Sequence, residues 1–411
     1  MRLSHPLLQV PLAVGFAHGS TIADCESLAG RLSLPDTAYE DLNYGASHQF
    51  ATIGTNNGHD GISGAPFYEN PGVVEDYVYR SVHLEAQLGK AVAAEFYGKN
   101  HTKAYYIGCS TGGRQGFKEA QSFPEDFDGI VAGAPAFDFN GLMYWTGQLF
   151  LKTGTSKDSR FLTSAQWGLV YSDIMRQCDG LDGLEDGIIE DPSLCQYRPE
   201  GLLCSRSPSG ACLTGEQADT PNAYPMDWWR YALYNDPAWN ISTLSYKDYQ
   251  VAAQLNPWNV STWEGDLSGA RQRGVKILHY HGLQDPAISS DNSERYYDHV
   301  SRTMNLPSAE LDDFYRYFRI SGMTHCRSGT GASLIGGSTN GYVSFEPEAN
   351  VLAAIVRWVE EGVAPDYILG SRKAASGQVD LQRRHCKYPA RNVFKGQGDP
   401  STPDSWECVD P

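Results

Sequence analysis

The 411-residue chain has little positive charge: 32 lysines and arginines stand against 49 aspartates and glutamates, a net charge of −17. This balance repels phosphate backbones and anionic lipid surfaces, which argues against nucleic acid and membranes as partners. The chain also lacks internal repeats and low-complexity tracts, which excludes solenoid, collagen-like and coiled-coil architectures. With 41% hydrophobic and 12% aromatic residues, it has ample material for a globular core.

Long apolar runs are absent except at the N-terminus. There, Arg2 precedes the apolar stretch Leu7 to Ala17, and small residues ending in Thr21-Ile22-Ala23 follow. A basic residue, an apolar run and a small-residue cleavage site are typical of a secretory signal, so we expect residues 1–23 to be a signal peptide. No other run reaches membrane-spanning length. The expected location is extracellular.

The cysteines and glycosylation motifs agree with secretion. Nine cysteines are present, and two close pairs lie in loop-like sequence, Cys178 with Cys195 and Cys204 with Cys212. Such spacing favours disulfides, which form in an oxidising compartment. N-glycosylation acceptors, each an asparagine followed two positions later by Ser or Thr, occur at Asn100, Asn240 and Asn259.

Strand-like and helical runs alternate in two parts of the chain. Apolar residues recur at helical spacing from Glu75 to Tyr97, and Gly98 follows as a stop signal. The predicted strands are Lys103 to Ile107, Gly129 to Ala132, Val275 to Tyr280 and Phe318 to Ile320, with further helices at Ser293 to Val300 and Glu346 to Glu361. This alternation indicates an α/β fold, a mostly parallel sheet covered by helices, formed by residues 24–138 and 270–411.

The alternation is missing from residues 139–269. This segment is rich in Trp, Tyr, Asn, Pro and Asp-Gly turns and contains four of the cysteines. We interpret it as an inserted lid domain. The polar tail after Gly377 carries Cys386 and Cys408 and is expected to pack as an extension stapled by a disulfide.

The segment Gly108-Cys109-Ser110-Thr111-Gly112 matches the pattern G-x-S-x-G. The pattern alone also fits an ordinary glycine-rich loop. Here a predicted strand precedes it and a predicted helix follows, which favours a strained turn that exposes the serine above the sheet. Ser110 is therefore the candidate nucleophile, and the backbone N–H of Thr111 is a candidate oxyanion donor.

A serine on such a turn needs a base and a carboxylate that orients it, which follow along the chain in the order Ser, Asp or Glu, His. Asp285 comes directly after a predicted strand, and His325 lies in the loop after the next strand. Asp291 and Asp298 are rival carboxylates, and any of the 11 histidines could be the base. The sequence pattern favours Asp285 and His325 without excluding these rivals.

Neighbouring cysteines strengthen the choice of His325. Cys109 precedes the candidate nucleophile and Cys326 follows the candidate base, so a disulfide between them would hold the two groups within reach of each other. His279 and His281 alternate on one strand face and offer two metal ligands without a third. Packing explains these two histidines better than a metal does.

These features resemble the tannase and feruloyl esterase family of fungal secreted esterases, in which a disulfide joins the neighbours of the catalytic serine and histidine. The stretch from Tyr39 to His59 resembles the feruloyl esterase B branch in particular, and the resemblance extends to the C-terminus. It implies an α/β-hydrolase-like fold with Ser110 as nucleophile, His325 as base and Asp285 as orienting group. The implied reaction is hydrolysis of feruloyl esters of plant cell-wall polysaccharides, such as arabinoxylan and pectin, through an acyl-enzyme.

Two alternatives stay open. One is a tannase that acts on gallate esters, and the other is a catalytically impaired, calcium-bound secreted homologue. Either aromatic acid needs stacking surface, for which the lid offers Trp228, Trp229, Tyr231, Trp239, Trp258 and Trp263. These aromatics do not discriminate between ferulate and gallate.

The lid also contains an acidic, glycine-rich run from Cys178 to Ile188. Closely spaced carboxylates and free carbonyls suit calcium, although the spacing is not that of an EF-hand and a string of Asp-Gly turns is the alternative. Because family members bind calcium with a segment of this kind, the resemblance implies a structural calcium site. Its ligands would be the side chains of Asp179, Asp182 and Asp186 and the backbone oxygens of Leu184 and Ile188.

The chain departs from the family pattern in one place. Pairing Cys109 with Cys326, Cys178 with Cys195, Cys204 with Cys212 and Cys386 with Cys408 leaves Cys25 alone. Between the segments around Cys25 and Tyr39, family members carry early strands and a second oxyanion loop, where this chain has only Ala29 to Ala38. We expect the chain as written to be poorly active or poorly folded, and further coding sequence to lie between Asp36 and Glu40.

Overall fold

The computed structural model describes residues 43–154, 157–203, 223–338 and 340–411. The expected signal peptide, Cys25, the short segment at 29–38 and the expected Cys204–Cys212 pair lie outside these ranges. None of the described helices has both the length and the apolar character needed to cross a membrane.

A parallel four-stranded sheet forms the centre of the molecule. Its strands are β1 (Tyr105–Cys109), β2 (Gly129–Gly133), β3 (Lys276–Gly282) and β4 (Tyr315–Ile320), and they lie side by side in chain order. Every predicted strand is present, with bounds displaced by a few residues; β4 begins at Tyr315 rather than Phe318. The predicted α/β sheet is confirmed.

Helices surround the sheet and fill the segment between β2 and β3. They are α1 (Pro71–Glu75), α2 (Ser81–Tyr97), α3 (Thr111–Ser122), α4 (Phe139–Thr153), α5 (Ser164–Cys178), α6 (Ala223–Asp227), α7 (Tyr246–Leu255), α8 (Ser268–Arg273), α9 (Asp291–Met304), α10 (Ser308–Leu311) and α11 (Val351–Glu361). A π-helical turn, Asp76–Arg80, joins α1 to α2. The helix predicted to end before Gly98 does so, and Gly98 takes the left-handed conformation with φ 64°.

The start of α11 differs from the prediction of Glu346. Asn350 has extended backbone, and its side chain accepts hydrogen bonds from the N–H groups of Leu352 and Ala353. This cap satisfies two free N–H groups at the helix start, so the helix begins at Val351. Apolar periodicity alone could not locate this cap.

Alternate residues along the strands supply two separate cores. Ile130 and Ile277 face one side of the sheet with Phe117 of α3, whereas Val131 and Leu278 belong to the other core. This alternation follows from the two-residue repeat of a strand. The carboxyl ends of all four strands therefore meet at one edge of a sheet that is buried on both faces, where loops are free to carry chemistry.

The sheet edge at β1 is less protected than its centre. Within the described residues β1 pairs only with β2. Its first four residues are half-buried and Cys109 is exposed, whereas the residues of β2 are all buried. On α2, the side chains of Leu84, Leu88 and Phe96 are 50, 40 and 48% exposed. Family members carry early strands that this chain was expected to lack.

The segment predicted to be a lid has its own helical core. Trp228 and Trp229 are buried there, at 2 and 1% exposure, and the indole N–H of Trp228 donates to the side chain of Asn140. These two tryptophans are therefore core residues and offer no exposed stacking surface.

The C-terminal tail forms two antiparallel hairpins that the sequence did not predict. Their strands are β5 (Tyr367–Lys373) with β6 (Val379–Cys386), and β7 (Arg391–Phe394) with β8 (Trp406–Val409). The expected Cys386–Cys408 disulfide is present and ties β6 to β8.

Candidate active site

Ser110 occupies a sharp turn between β1 and α3. Its backbone has φ 65° and ψ −119°, a left-handed conformation that is strained for a residue with a Cβ atom. Glycines make the turn possible: a Cβ on Gly108 would lie 2.7 Å from the carbonyl oxygen of Gly112, and one on Gly113 would lie 2.4 Å from that of Gly133. The sequence pattern G-x-S-x-G therefore does form a strand-to-helix elbow.

Backbone hydrogen bonds hold the elbow in place. The N–H of Ser110 donates to Gly133 over 2.9 Å, and its carbonyl accepts from Ala136 over 3.1 Å and from Arg114 over 3.0 Å. Thr111 is the first residue of α3, so its N–H has no acceptor within the helix. That N–H can donate to a negative oxygen beside Ser110, in the favourable field of the helix N-terminus.

The loops after β3 and β4 bring Asp285 and His325 together. Backbone N–H groups of Leu283 and Gln284 donate to Ile320 and Met323 over 3.0 and 2.9 Å, which joins the two loops. The Nδ1–H of His325 then donates to Oδ2 of Asp285 over 2.6 Å. In a neutral imidazole bound this way, Nε2 is the unprotonated nitrogen, which is the state that a general base requires.

The carboxylate of Asp285 is fixed from both sides. Its Oδ1 accepts from the backbone N–H groups of Ala287 and Ile288 over 2.8 and 3.0 Å, and its side chain has no exposed surface. Burial alone raises the pKa of Asp285, but hydrogen bonds from His281 and His325 outweigh it and hold that pKa below its ordinary value. The carboxylate is therefore ionised when it meets His325.

The rival carboxylates lie elsewhere. Asp291 and Asp298 are both on α9, and Asp298 lies 3.9 Å from Arg302 in an exposed pair. Neither makes a hydrogen bond to His325 among the described residues, so the geometry favours Asp285.

Cys109 and Cys326 form the expected disulfide, with an S–S distance of 2.04 Å. It joins the elbow to the loop of His325, whose side chain is 28% exposed. The imidazole lies within 4.8 Å of both sulfurs, but bonded sulfurs are not thiolates and offer no metal site. Among the described residues the hydroxyl of Ser110 makes no hydrogen bond to His325, a bond that is often loose until substrate binds.

Tyr77 is a neighbour of the elbow that sequence reasoning missed. Its hydroxyl lies 3.2 Å from the hydroxyl oxygen of Thr111, and its ring packs against Phe67 and Phe139. The buried Arg114 fixes this segment by donating to the carbonyl of Tyr77 over 3.1 Å. No sequence motif marks Tyr77, because its position depends on packing between distant segments.

The proposed calcium loop is ordered by its own backbone. Asp179, Asp182 and Asp186 accept hydrogen bonds from the N–H groups of Gly187, Leu184 and Ile188, respectively. Burial raises the pKa of Asp182 to about 6 and also raises that of Asp179. The charge of Asp186 adds to both shifts.

A bound cation would offset the cost of burying these negative charges close together, and oxygen donors of this kind fit calcium. In this structure the three carboxylates do not gather into a group with oxygens within 4.8 Å of one another. Asp186 instead pairs with the buried Arg383 over 2.9 Å.

The other predicted modification sites are placed as follows. Cys178 and Cys195 form their expected disulfide next to the acidic loop. All three glycosylation acceptors, Asn100, Asn240 and Asn259, are exposed.

One further group of metal-ligating side chains occurs in the described part of the chain, at the end of α3 away from Ser110. It comprises His83, Glu119 and Asp126. The imidazole of His83 is already bound by Asp126 over 2.5 Å and by Gln87 over 3.0 Å. Both ring nitrogens are therefore occupied within the protein.

Comparisons with known proteins give matches over most of the chain. The family model described as tannase and feruloyl esterase matches residues 8–261 and 227–409. The probable feruloyl esterase B of Emericella nidulans is 47% identical over 410 residues, covering 90% of this chain and 78% of that protein. Feruloyl esterase C of Talaromyces stipitatus is 46% identical over 410 residues, covering 90% and 77%.

Solved structures give the same result. The crystal structure of feruloyl esterase B from Aspergillus oryzae matches with a TM-score of 0.87 and 46% identity, covering 90% of this chain and 82% of that one. Tannin acyl hydrolase from Aspergillus niger matches with a TM-score of 0.67 over 90% of this chain and 77% of that one. At 19% identity, this second likeness concerns the fold alone.

Proposed function

The chain belongs to the tannase and feruloyl esterase family and is a carboxylic ester hydrolase with an α/β-hydrolase-like fold, and from this premise we propose that it hydrolyses feruloyl esters with Ser110 as nucleophile. One observation carries the proposal: a strained serine and a His–Asp pair meet at the carboxyl ends of β1, β3 and β4, joined by the Cys109–Cys326 disulfide.

In the first half of the reaction, the Ser110 oxygen attacks the ester carbonyl and its proton passes to Nε2 of His325. The negative charge that forms on the carbonyl oxygen accepts a hydrogen bond from the Thr111 N–H. The tetrahedral intermediate then collapses, and the alcohol leaves with the proton from His325. A feruloyl group remains bonded to Ser110 as an acyl-enzyme.

In the second half, His325 takes a proton from water while the water oxygen attacks the acyl carbonyl. Collapse of the second intermediate releases ferulate and returns the proton to Ser110. Asp285 stays ionised throughout and stabilises the imidazolium each time it forms, because its pKa is held low by its hydrogen bonds.

Ferulate is favoured over gallate by the names of relatives that share nearly half of their sequence with this chain. Those at 46 to 47% identity are named feruloyl esterases, whereas the tannin acyl hydrolase shares only 19%. We place the aromatic acid beside Thr111 and next to Tyr77, whose hydroxyl lies 3.2 Å from that of Thr111 and whose ring is supported by the buried Phe67 and Phe139. The proposed substrate is a feruloylated plant cell-wall polysaccharide, with a gallate ester as the alternative.

We propose that the protein is secreted and glycosylated and that it binds a structural calcium ion. Three disulfides are present among the described residues, which suits an oxidising compartment. The exposed acceptors Asn100, Asn240 and Asn259 suit glycosylation. The oxygen-rich loop from Asp179 to Ile188 would hold the calcium ion, apart from the ester chemistry.

Release of ferulate from methyl ferulate by the purified protein tests the proposal. Turnover that disappears on treatment with a serine-directed phosphonate, with the label on Ser110, supports it. A properly folded, disulfide-complete protein that neither turns over ester nor takes the label would instead be the catalytically impaired homologue.

A further inference from the structure

We propose that His281 is a positioning residue for Asp285, held in place by a buried hydrogen-bond chain that runs through Ser293 and His279 to Tyr315. The inference rests on the proposed function of Asp285 as the group that orients His325. Its contacts come from two strands and one helix, none of which contributes the reacting atoms.

The chain is continuous from the core to the active site. Tyr315 of β4 lies 2.9 Å from Nδ1 of His279, and Nε2 of His279 lies 2.8 Å from the Ser293 hydroxyl. That hydroxyl lies 2.6 Å from Nδ1 of His281, whose Nε2 lies 3.1 Å from Oδ2 of Asp285. Tyr315, His279, Ser293 and His281 have no exposed surface, so water does not compete for these bonds.

The proton on His281 is fixed by its partners. Its Nε2 faces two acceptors, the carboxylate of Asp285 and the carbonyl of Ile288, each at 3.1 Å. Both groups can only accept hydrogen bonds, so Nε2 of His281 must carry the proton and donate. In the neutral ring Nδ1 is then an acceptor, and the hydroxyl of Ser293 must donate to it.

The rest of the chain follows from that assignment. The hydroxyl of Ser293 donates its only hydrogen to His281, so its oxygen must accept a hydrogen bond from the Nε2–H of His279. Nδ1 of His279 then accepts from the hydroxyl of Tyr315. Burial holds the pKa of His279 well below its ordinary value, in keeping with a neutral ring. Every donor in the chain therefore points toward Asp285, an order in which the bonds polarise and strengthen one another.

This arrangement gives Asp285 a fixed orientation. Oδ2 accepts from His281 and from His325, while Oδ1 accepts from two backbone N–H groups. A carboxylate held by four donors cannot rotate without breaking bonds in a buried site, so the imidazole of His325 is aimed as well. His281 is fixed in turn by β3 and by α9 through Ser293.

Loss of the N–H of His281 should shift the pH dependence of activity in one direction. The titratable groups that act on Asp285 are His281 and His325, and His279 is the titratable neighbour of His281. Removing the N–H of His281 takes one donor from the carboxylate and leaves more negative charge available to His325. The imidazolium of His325 becomes more stable, so the acidic limb of the activity profile moves to higher pH.

The test compares His281→Phe with His281→Gln in the full chain. Phe keeps the ring volume without a donor, whereas the amide of Gln can place an N–H near the position of Nε2. We expect His281→Phe to lower kcat/KM for methyl ferulate by about 10- to 100-fold, mostly through kcat, and to move the acidic limb upward. His281→Gln should restore part of kcat/KM and part of the wild-type position of the acidic limb. Ser293→Ala should lower kcat/KM less than His281→Phe does and move the acidic limb upward by less.

His385→Phe is the matched control. His385 is also buried, and its Nε2 lies 2.9 Å from the carbonyl oxygen of Ala332, outside this chain of bonds. Substitution of a histidine with a purely structural role lowers the stability of the protein without moving the pH profile of its activity. If His281→Phe behaves like His385→Phe, or if Gln restores nothing, the positioning role is wrong.

The proton NMR signal of the His325 Nδ1–H, which donates to Asp285, provides a readout that needs no turnover. Its chemical shift is expected to move in His281→Phe and in Ser293→Ala, but not in His385→Phe; an unchanged chemical shift overturns the inference. An inactive wild-type protein would overturn the proposed function instead, so the two failures are distinguishable.

Discussion

Cys109 and Cys326 are bonded to each other across 217 residues of sequence, and each is the immediate neighbour of a group proposed to act in catalysis. The elbow of Ser110 belongs to β1, and the loop of His325 follows β4, the strand at the other end of the sheet. The disulfide therefore links segments that follow the first and the last strand of the sheet, and it limits how far the nucleophile and the base can separate.

Removing this disulfide should impair catalysis more than its loss of stability explains. We expect Cys109→Ser with Cys326→Ser, or mild reduction, to lower kcat/KM by about 10- to 100-fold because the base is no longer held near the serine. The control is Cys386→Ser with Cys408→Ser, which removes a disulfide remote from the site. Each pair should cost about 2–5 kcal/mol of stability. Peptide mapping that finds Cys109 or Cys326 free in the secreted protein would refute the account.

Asp285→Asn should nearly abolish turnover and change the response to acid. An amide donates where the carboxylate accepts, so His325 loses the correct tautomer, at a cost of about 10⁴-fold in kcat. The pKa of Asp285 is depressed in the folded state, so its ionised form stabilises the fold above about pH 4, and this contribution fades as pH falls.

The stability advantage of wild type over Asp285→Asn, measured as a difference in Tm, should therefore be constant near neutral pH and narrow as the pH falls below about 4. Asp298→Asn, at an exposed position of α9, is the control. A constant difference in Tm would contradict the depressed pKa.

Chelation should lower Tm if the acidic loop holds calcium. An ion at about 100 times its Kd stabilises the folded state by about 2.7 kcal/mol. Asp182→Asn should reduce the effect of chelator, whereas Asn at the exposed Asp60 should leave it intact. An unchanged melting curve in excess chelator, with no calcium found by elemental analysis, would remove the site.

The short segment between Ala29 and Ala38 predicts weak catalysis. Thr111 supplies one oxyanion donor, and loss of a second donor costs about two to three orders of magnitude in kcat. We expect turnover lower by this amount than that of feruloyl esterase B from Aspergillus oryzae under the same conditions. We also expect the transcript to contain additional sequence between Asp36 and Glu40. A transcript that matches the chain, together with turnover equal to that reference, would show that the departure is harmless.

The sequence predicted those parts of the structure that depend on local pattern. Strands such as Gly129–Gly133 are short apolar runs between turns, and the elbow at Ser110 follows from glycines at fixed spacing. The Asp285–His325 contact was predicted from chain order and flanking cysteines, and the structure brings these side chains together. Their catalytic roles stay a prediction.

Features that depend on long-range packing were not predictable. His279 and His281 were interpreted as packing residues, since their partners Ser293 and Tyr315 come from a helix and another strand. The sequence indicated that the lid aromatics divide between core and stacking surface without showing which are which, and Trp229 is in the core. A single sequence reports periodicity but not which distant surface covers a given face.

Hydrolysis of methyl ferulate and methyl gallate by the same purified protein tests the central claim most directly, with Ser110→Ala as the inactive variant and Ala at the exposed Ser172 of α5 as its control. The account predicts higher kcat/KM for ferulate, full activity in Ser172→Ala, and loss of at least about 10⁴-fold in Ser110→Ala with Tm unchanged. Preference for gallate would identify a tannase, and ferulate hydrolysis that survives Ser110→Ala would contradict the account.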